Sequence, residues 1–203
     1  MIMRKENKIH SLSEWFVNDD VEGLIDLETG LASDLVSNLF GYNVLQIGSF
    51  YPKSVMNSCR IPNKILVSVG DDEHPLETVR SDVGAFPFGP ATIDIVILPH
   101  ILEFSADPGK ILREVDRVLI GEGYLLVFAF NPWSFFGFST IFKRWQDLAP
   151  WNCNFISALR LEDWLRVLGF ELIDVRYGGY GSLKKKGLLP KKMRFRQHIP
   201  NSF

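Results

Sequence analysis

Leu24, Leu27, Leu31, Leu35 and Leu39 recur at three- and four-residue steps. That spacing predicts an amphipathic helix over about residues 21–40, and Gly41 follows as its stop. Val44–Gly48 reads as a short buried strand, Ser54–Arg60 as a short helix and Ile65–Val69 as a second strand. An acidic turn, GDDEHP, leads to a short third strand at Thr78–Arg80. Ile93–Leu98 is a continuous apolar run rich in isoleucine and valine, the pattern of a strand covered on both faces. Asp107 and Pro108 then open a helix as N-cap and first helical residue. Its apolar face is Ile111, Leu112, Val115, Val118 and Leu119, and Gly121 ends it. Tyr124–Phe130 is the next buried strand, so the two strands around this helix should be parallel neighbours. Ser157 precedes a helix carrying Leu161, Trp164, Leu165 and Leu168, ended by Gly169, and Phe170–Val175 is a further strand. The alternation predicts an open, mostly parallel α/β sheet with flanking helices. No strand pattern is read after Tyr180, so the sheet is expected to lack a regular strand there.

Length and composition narrow the class. A chain of 203 residues, 46% hydrophobic and 23% charged, is expected to be one globular domain rather than a disordered chain. It divides into an N-terminal helical segment (1–41), a core (42–177) and a basic tail (178–203). The net charge of −2 does not suggest nucleic acid as a partner of the whole chain. Cys59 and Cys153 are too few for a disulfide framework or a zinc site and fit a reducing, cytoplasmic setting. The first residues are basic without an apolar stretch, which does not read as a signal peptide. The longest apolar runs are too short to span a bilayer. His10, His74, His100 and His198 are scattered without ligand spacing, so no metal site is expected. In the tail, Lys184, Lys185, Lys186, Lys191, Lys192, Arg194 and Arg196 are not interrupted by an acidic residue. Such a block suits an anionic partner, or a solvated, frayed end.

Between residues 82 and 130 a run of features falls in a recognisable order. Asp82 precedes the turn Phe86-Pro87-Phe88, and the strand Asp94–Leu98 ends near His100. Leu112-Arg113-Glu114 and Arg117-Val118-Leu119 lie on the next helix, and Gly121–Gly123 leads into the following strand. This stretch resembles the central half of class I S-adenosylmethionine-dependent methyltransferases of the type 11 kind. The resemblance covers roughly residues 40–177 and includes RLEDWLRVLGFELIDV. It implies a Rossmann-like fold, S-adenosylmethionine as cofactor and direct methyl transfer in a cleft at the carboxyl ends of the first, second and fourth strands. The acceptor is not named by it.

The same resemblance assigns expected roles. Gly48 and Ser49 stand in the cofactor loop, Asp71 or Asp72 where an acidic residue binds the ribose hydroxyls, and Asp82 with Val83 beside the adenine. Asp71 and Asp72 read equally as a solvated acidic turn, and Asp82 as a turn-capping residue. Pro99 and His100 lie at the strand end where open α/β sheets place ligands. His100 is the candidate catalytic base, or else a histidine packed on the following helix, with Glu103 close in sequence. The loop departs from the family pattern: Gln46 takes the acidic place, and Phe50 and Pro52 stand where further glycines would give positive φ and room for the ligand. Each lost polar contact costs about 1 kcal/mol, roughly fivefold in affinity, so weak cofactor binding is expected. The alternative reading is a catalytically inactive binding or regulatory module on the same fold. Asn131-Pro132-Trp133 reads as a turn ending the fifth strand. Trp133, Phe135, Phe136, Phe138, Phe142, Trp145 and Trp151 form an aromatic stretch that suits a cap over an apolar acceptor, a partner patch or simple core packing.

Overall fold

A computed structural model describes residues 22–49, 51, 55–69, 78–82, 84–130, 153–179 and 189–197. The elements, in chain order, are α1 (Glu22–Val36), β1 (Asn43–Ile47), a 3-10 turn (Val55–Ser58), β2 (Asn63–Ser68), β3 (Thr78–Arg80) and β4 (Ile93–Pro99). They continue with α2 (Ile101–Phe104), α3 (Pro108–Val118), β5 (Leu119–Ala129), α4 (Ala158–Val167), β6 (Phe170–Gly179) and β7 (Leu189–Gln197). The strands form a seven-stranded sheet in the order β3-β2-β1-β4-β5-β7-β6.

β4 lies at the centre of this sheet, parallel to β1 on one side and to β5 on the other. Val96, Ile97 and Leu98 are fully buried, as the unbroken apolar run demands. The crossover between β4 and β5 is α3, which starts as its sequence dictates. Asp107 accepts from the Lys110 amide at 3.0 Å, and Pro108 occupies the first turn. Leu119 belongs to β5 rather than to the helix. Gly121–Gly123 lies inside a strand irregularity, because the β4–β5 register steps from Ile93–Leu119 to Ile95–Tyr124.

The buried stripe of α1 consists of Leu24, Ile25, Glu28, Ala32, Leu35 and Val36, with Leu39 just beyond the helix. Leu27 and Leu31 are only half-buried, so the helix is rotated from the five-leucine face. A carboxylate, Glu28, therefore sits in the apolar stripe.

The expectation of no regular strand after Tyr180 is overturned by β7. It runs antiparallel to both β5 and β6, from Leu189 to Gln197. The basic block is expected to meet an anionic partner or to form a solvated, frayed end; residues 191–196 of it lie instead in a strand between two others. Its register sets Arg196 opposite Glu171 and Arg194 opposite Asp174 on β6.

The residues that carried the family resemblance hold one another. Arg117 donates to the carbonyls of Phe88 (2.8 Å) and Phe86 (3.0 Å), and Glu114 accepts from the Phe86 amide (3.1 Å). Arg117 also donates to Glu114 at 2.8 Å. Bonding to Arg117 is the main reason the Glu114 carboxyl lies below its ordinary range. These side chains lock α3 to the turn that enters β4.

Candidate functional site

The five parallel strands, β1 to β5, all end at the same edge of the sheet. Gln46 of β1 pairs with Ile97 of β4, so Gly48 and Pro99 follow two residues later on adjacent strands. Gly48 turns the chain out of β1 at φ 111°, a left-handed value that favours glycine. Its amide donates to the Val67 carbonyl at 2.9 Å, and buried Ser49 donates its hydroxyl to Ser68 at 2.9 Å, so β1 and β2 are tied together at their ends. Gln46, in the place of the family's acidic residue, is buried, and its amide nitrogen lies 3.5 Å from the Gly48 carbonyl. Asp82, two residues past the end of β3, is exposed. Its carbonyl accepts from the Ala85 amide at 3.1 Å, closing a turn. Asp71, Asp72, Val83, Phe50, Pro52 and the aromatic stretch 131–152 lie outside the described residues.

His100 follows β4 directly and has a left-handed backbone, φ 55° and ψ 4°. For a non-glycine residue this costs about 1–2 kcal/mol, so surrounding contacts must hold it. They are abundant. The His100 amide donates to Phe128 at 3.1 Å. Nδ1 lies 3.1 Å from Glu103 Oε2, and Nε2 lies 3.2 Å from Glu28 Oε2. His100 and Glu103 have no solvent exposure and Glu28 has 1%. Tyr51, also buried, donates its hydroxyl to Glu28 at 2.7 Å, and the Phe130 amide donates to Glu103 Oε1 at 2.6 Å. The Phe130 ring stacks on the imidazole at 4.2 Å between centroids, with Tyr51 and Phe128 at 6.3 and 6.5 Å.

Burial alone would lower the imidazole's proton affinity. The charge of Glu28 and the bonds to Glu103 and Glu28 outweigh it, and the His100 pKa rises to about 9. Burial raises the Glu103 carboxyl, and the bond to His100 only partly offsets it. Burial and then the Glu28 charge push the Tyr51 phenol up. As placed, both ring nitrogens of His100 face carboxylate oxygens, which leaves no lone pair on the ring for a substrate proton.

The fold thus brings Gly48, Ser49, Pro99 and His100 together at one edge, with Asp82 past the end of β3. Glu28 and Tyr51 were not singled out from the sequence. The available signal for Glu28 was its place four residues from Leu24 and seven from Leu35, a charge within the apolar stripe. Tyr51 sits in the turn after β1 and carried no comparable signal. Among the described residues no group of three or more His, Cys, Asp or Glu could hold a metal ion, and no helix is long and apolar enough to cross a membrane.

A family model described as a methyltransferase domain matches residues 53–127. That match and this sheet order give the chain a class I methyltransferase fold and support that family for it. It is similar to the Escherichia coli protein YafS, 31% identical over 137 residues, covering 68% of this chain and 56% of the relative. With a second relative from Methanocaldococcus jannaschii covered to 47%, the chain spans about half the length of the curated relatives it matches. Among solved structures, a SAM-dependent methyltransferase from Thermotoga maritima superposes with a TM-score of 0.71 at 18% identity, covering 97% of this chain and 100% of that one. The cyclase SpnF superposes with a TM-score of 0.59 at 20% identity, covering 75% of this chain and 59% of that one. At such identities the likeness is one of fold, and the cyclase shows that this fold carries more than one chemistry.

Proposed function

We propose that the chain is an S-adenosylmethionine-dependent methyltransferase whose cleft lies at the carboxyl ends of β1, β2 and β4. The observation that carries this reading is the Gly48 turn at φ 111°, set against the tied ends of β1 and β2 and next to the end of β4. The residues fit the cofactor at this point: a turn without a side chain lets a ligand approach the backbone, and buried hydroxyls lie beside it. Gly48 and Ser49 would face its methionine portion, Asp71 or Asp72 its ribose, and Asp82 with Val83 its adenine, with Pro99 closing the β4 side. When bound, the cofactor supplies a methyl group on a sulfonium for in-line transfer, and the protein's part is alignment.

His100 acts in this reading as a positioning residue. A proton-holding imidazole between two carboxylates does not take a proton from an acceptor, so the reading favours acceptors that reach the site already deprotonated near neutral pH, such as a thiolate. The anionic partner suggested by the basic tail now rests mainly on Lys184, Lys185 and Lys186, since residues 191–196 lie in β7. Salt-sensitive co-sedimentation with anionic vesicles tests it.

Calorimetric titration of the full chain with S-adenosylmethionine and with S-adenosylhomocysteine tests the main reading. Saturable binding, weaker than about 10 μM because Gln46, Phe50 and Pro52 depart from the family loop, is the expected result. No heat up to about 1 mM of either ligand would overturn it and leave a binding or regulatory module on the same fold.

A further inference from the structure

The cluster around His100 joins parts of the chain that are far apart in sequence. Glu28 comes from α1, Tyr51 from the turn after β1, His100 from the end of β4, and Glu103 from α2. Glu103 also holds both sides of the segment between β5 and α4. Its carboxylate accepts from the Phe130 amide at 2.6 Å, and its carbonyl accepts from the Asn154 amide at 2.8 Å.

The two carboxylate–imidazole contacts each need one proton, on nitrogen or on oxygen. The Tyr51 hydroxyl and Phe130 amide already donate to Glu28 and Glu103, which favours ionised carboxylates against the burial that raises Glu103; with both ionised, both protons sit on the ring. Remove one of those protons and a buried nitrogen lone pair faces a buried carboxylate at about hydrogen-bond distance, which is repulsive in a medium of low dielectric. Among the described residues, the titratable groups facing the imidazole are Glu28 from α1, Glu103 from α2 and, through Glu28, Tyr51 from the β1 turn.

We propose that Glu28, His100 and Glu103 form a proton-dependent clamp that positions the two backbone segments bounding the cleft, the turn after β1 at Tyr51 and the strand end at Phe130. That these segments bound a ligand cleft rests on the methyltransferase reading above; the clamp itself does not. While the imidazole is doubly protonated, Tyr51 and Phe130 are both anchored through it. When the ring loses a proton, both anchors loosen together.

The test uses the full chain labelled with 15N-histidine, its His100 signals assigned by elimination with His10→Gln, His74→Gln and His198→Gln. Both ring nitrogens of His100 should carry protons at neutral pH, with loss only above about pH 8, well beyond an unperturbed histidine. Over the same range, hydrogen exchange at the Phe130 and Asn154 amides should accelerate relative to that at Ile97, a central amide of the sheet. At one fixed pH, Glu103→Gln and Glu28→Gln should raise the Phe130 exchange rate, again relative to Ile97, at least tenfold. A neutral His100 ring at neutral pH, or Phe130 exchange that ignores both the titration and the variants, overturns the proposal. If the variants do not fold, the wild-type titration decides it alone. Binding of S-adenosylhomocysteine is measured separately: an intact clamp without binding refutes the cofactor reading, whereas binding without the proton-linked signature refutes the clamp. Where both hold, Glu103→Gln should weaken that binding about tenfold.

Discussion

The two ends of the central strand pair β1 and β4 are both polar, and they are built on opposite principles. At the amino end, Asp94 accepts from the amides of Tyr42 (3.0 Å) and Asn43 (2.8 Å), and Asn43 donates to Thr92 (2.9 Å). These groups are exposed or half-buried, so water stands ready to replace any bond that is lost. At the carboxyl end the polar groups are His100, Glu28, Glu103 and Tyr51, and they are buried among aromatic rings. There each unmade bond carries its full desolvation cost. A chain does not need such a cluster to close a sheet, because apolar side chains would close it as well or better. It stands at the end of the sheet where the proposed methyltransferase reading places the ligand, and the solvated network stands at the other, so the two ends separate what that reading needs from what folding needs.

That contrast can be broken most strongly at Glu103. Glu103→Ala leaves a buried imidazolium short of a partner and the Phe130 amide without an acceptor, and should destabilise by roughly 3–5 kcal/mol in urea titration. A loss under about 1 kcal/mol would mean that the cluster is far wetter than its geometry.

The next effect is on pH dependence. The His100 pKa is raised from 6.5 to about 9, so its contribution is fully present below the unfolded value and is lost as pH rises through about 9. Stability should fall by roughly 3 kcal/mol between pH 6.5 and the region above 9. The Glu103 carboxyl, raised by burial, also loses stability as pH rises, starting from the ordinary carboxylate range. Urea titrations across that window, with and without Glu28→Gln, check it. A variant that keeps the full wild-type pH slope would remove Glu28 from the cause.

Gly48→Ala tests the turn rather than the charges. A side chain at φ 111° should cost about 1–3 kcal/mol and should also reduce S-adenosylhomocysteine affinity, read by the same calorimetry. Asp94→Ala, at the amino end, should cost about 1–2 kcal/mol and leave ligand affinity unchanged. Smallest is Asn43→Ala, within about 1 kcal/mol, since its amide partners are open to water. An Asp94 variant that lost ligand binding would erase the distinction between the two ends.

Much of the fold was legible because its signals are local. The apolar runs at Ile93–Leu98 and Tyr124–Phe130, with Asp107-Pro108 between them, required only neighbouring residues to be read. β7 was missed because Lys191, Lys192, Arg194 and Arg196 dominate its composition. Yet Met193 and Phe195 alternate with those charges from Lys192 to Gln197, a period of two that a strand can use. That Gly48, Ser49, Pro99 and His100 share one edge of the sheet was legible through the family pattern, and Glu103 through its closeness to His100. Glu28 was not, because it meets His100 across 72 residues of sequence.

The sequence by itself determined the periodicities, the helix caps, the order of strand and helix up to β6, and the family resemblance, since each depends on residues within a few positions of one another. Only the tertiary structure decided the rotation of α1, the insertion of β7 and the meeting of Glu28, Tyr51, His100 and Glu103. It also decided how His100 holds its proton. Proton affinity is set by burial and by the charges brought close, and neither exists until distant segments pack together.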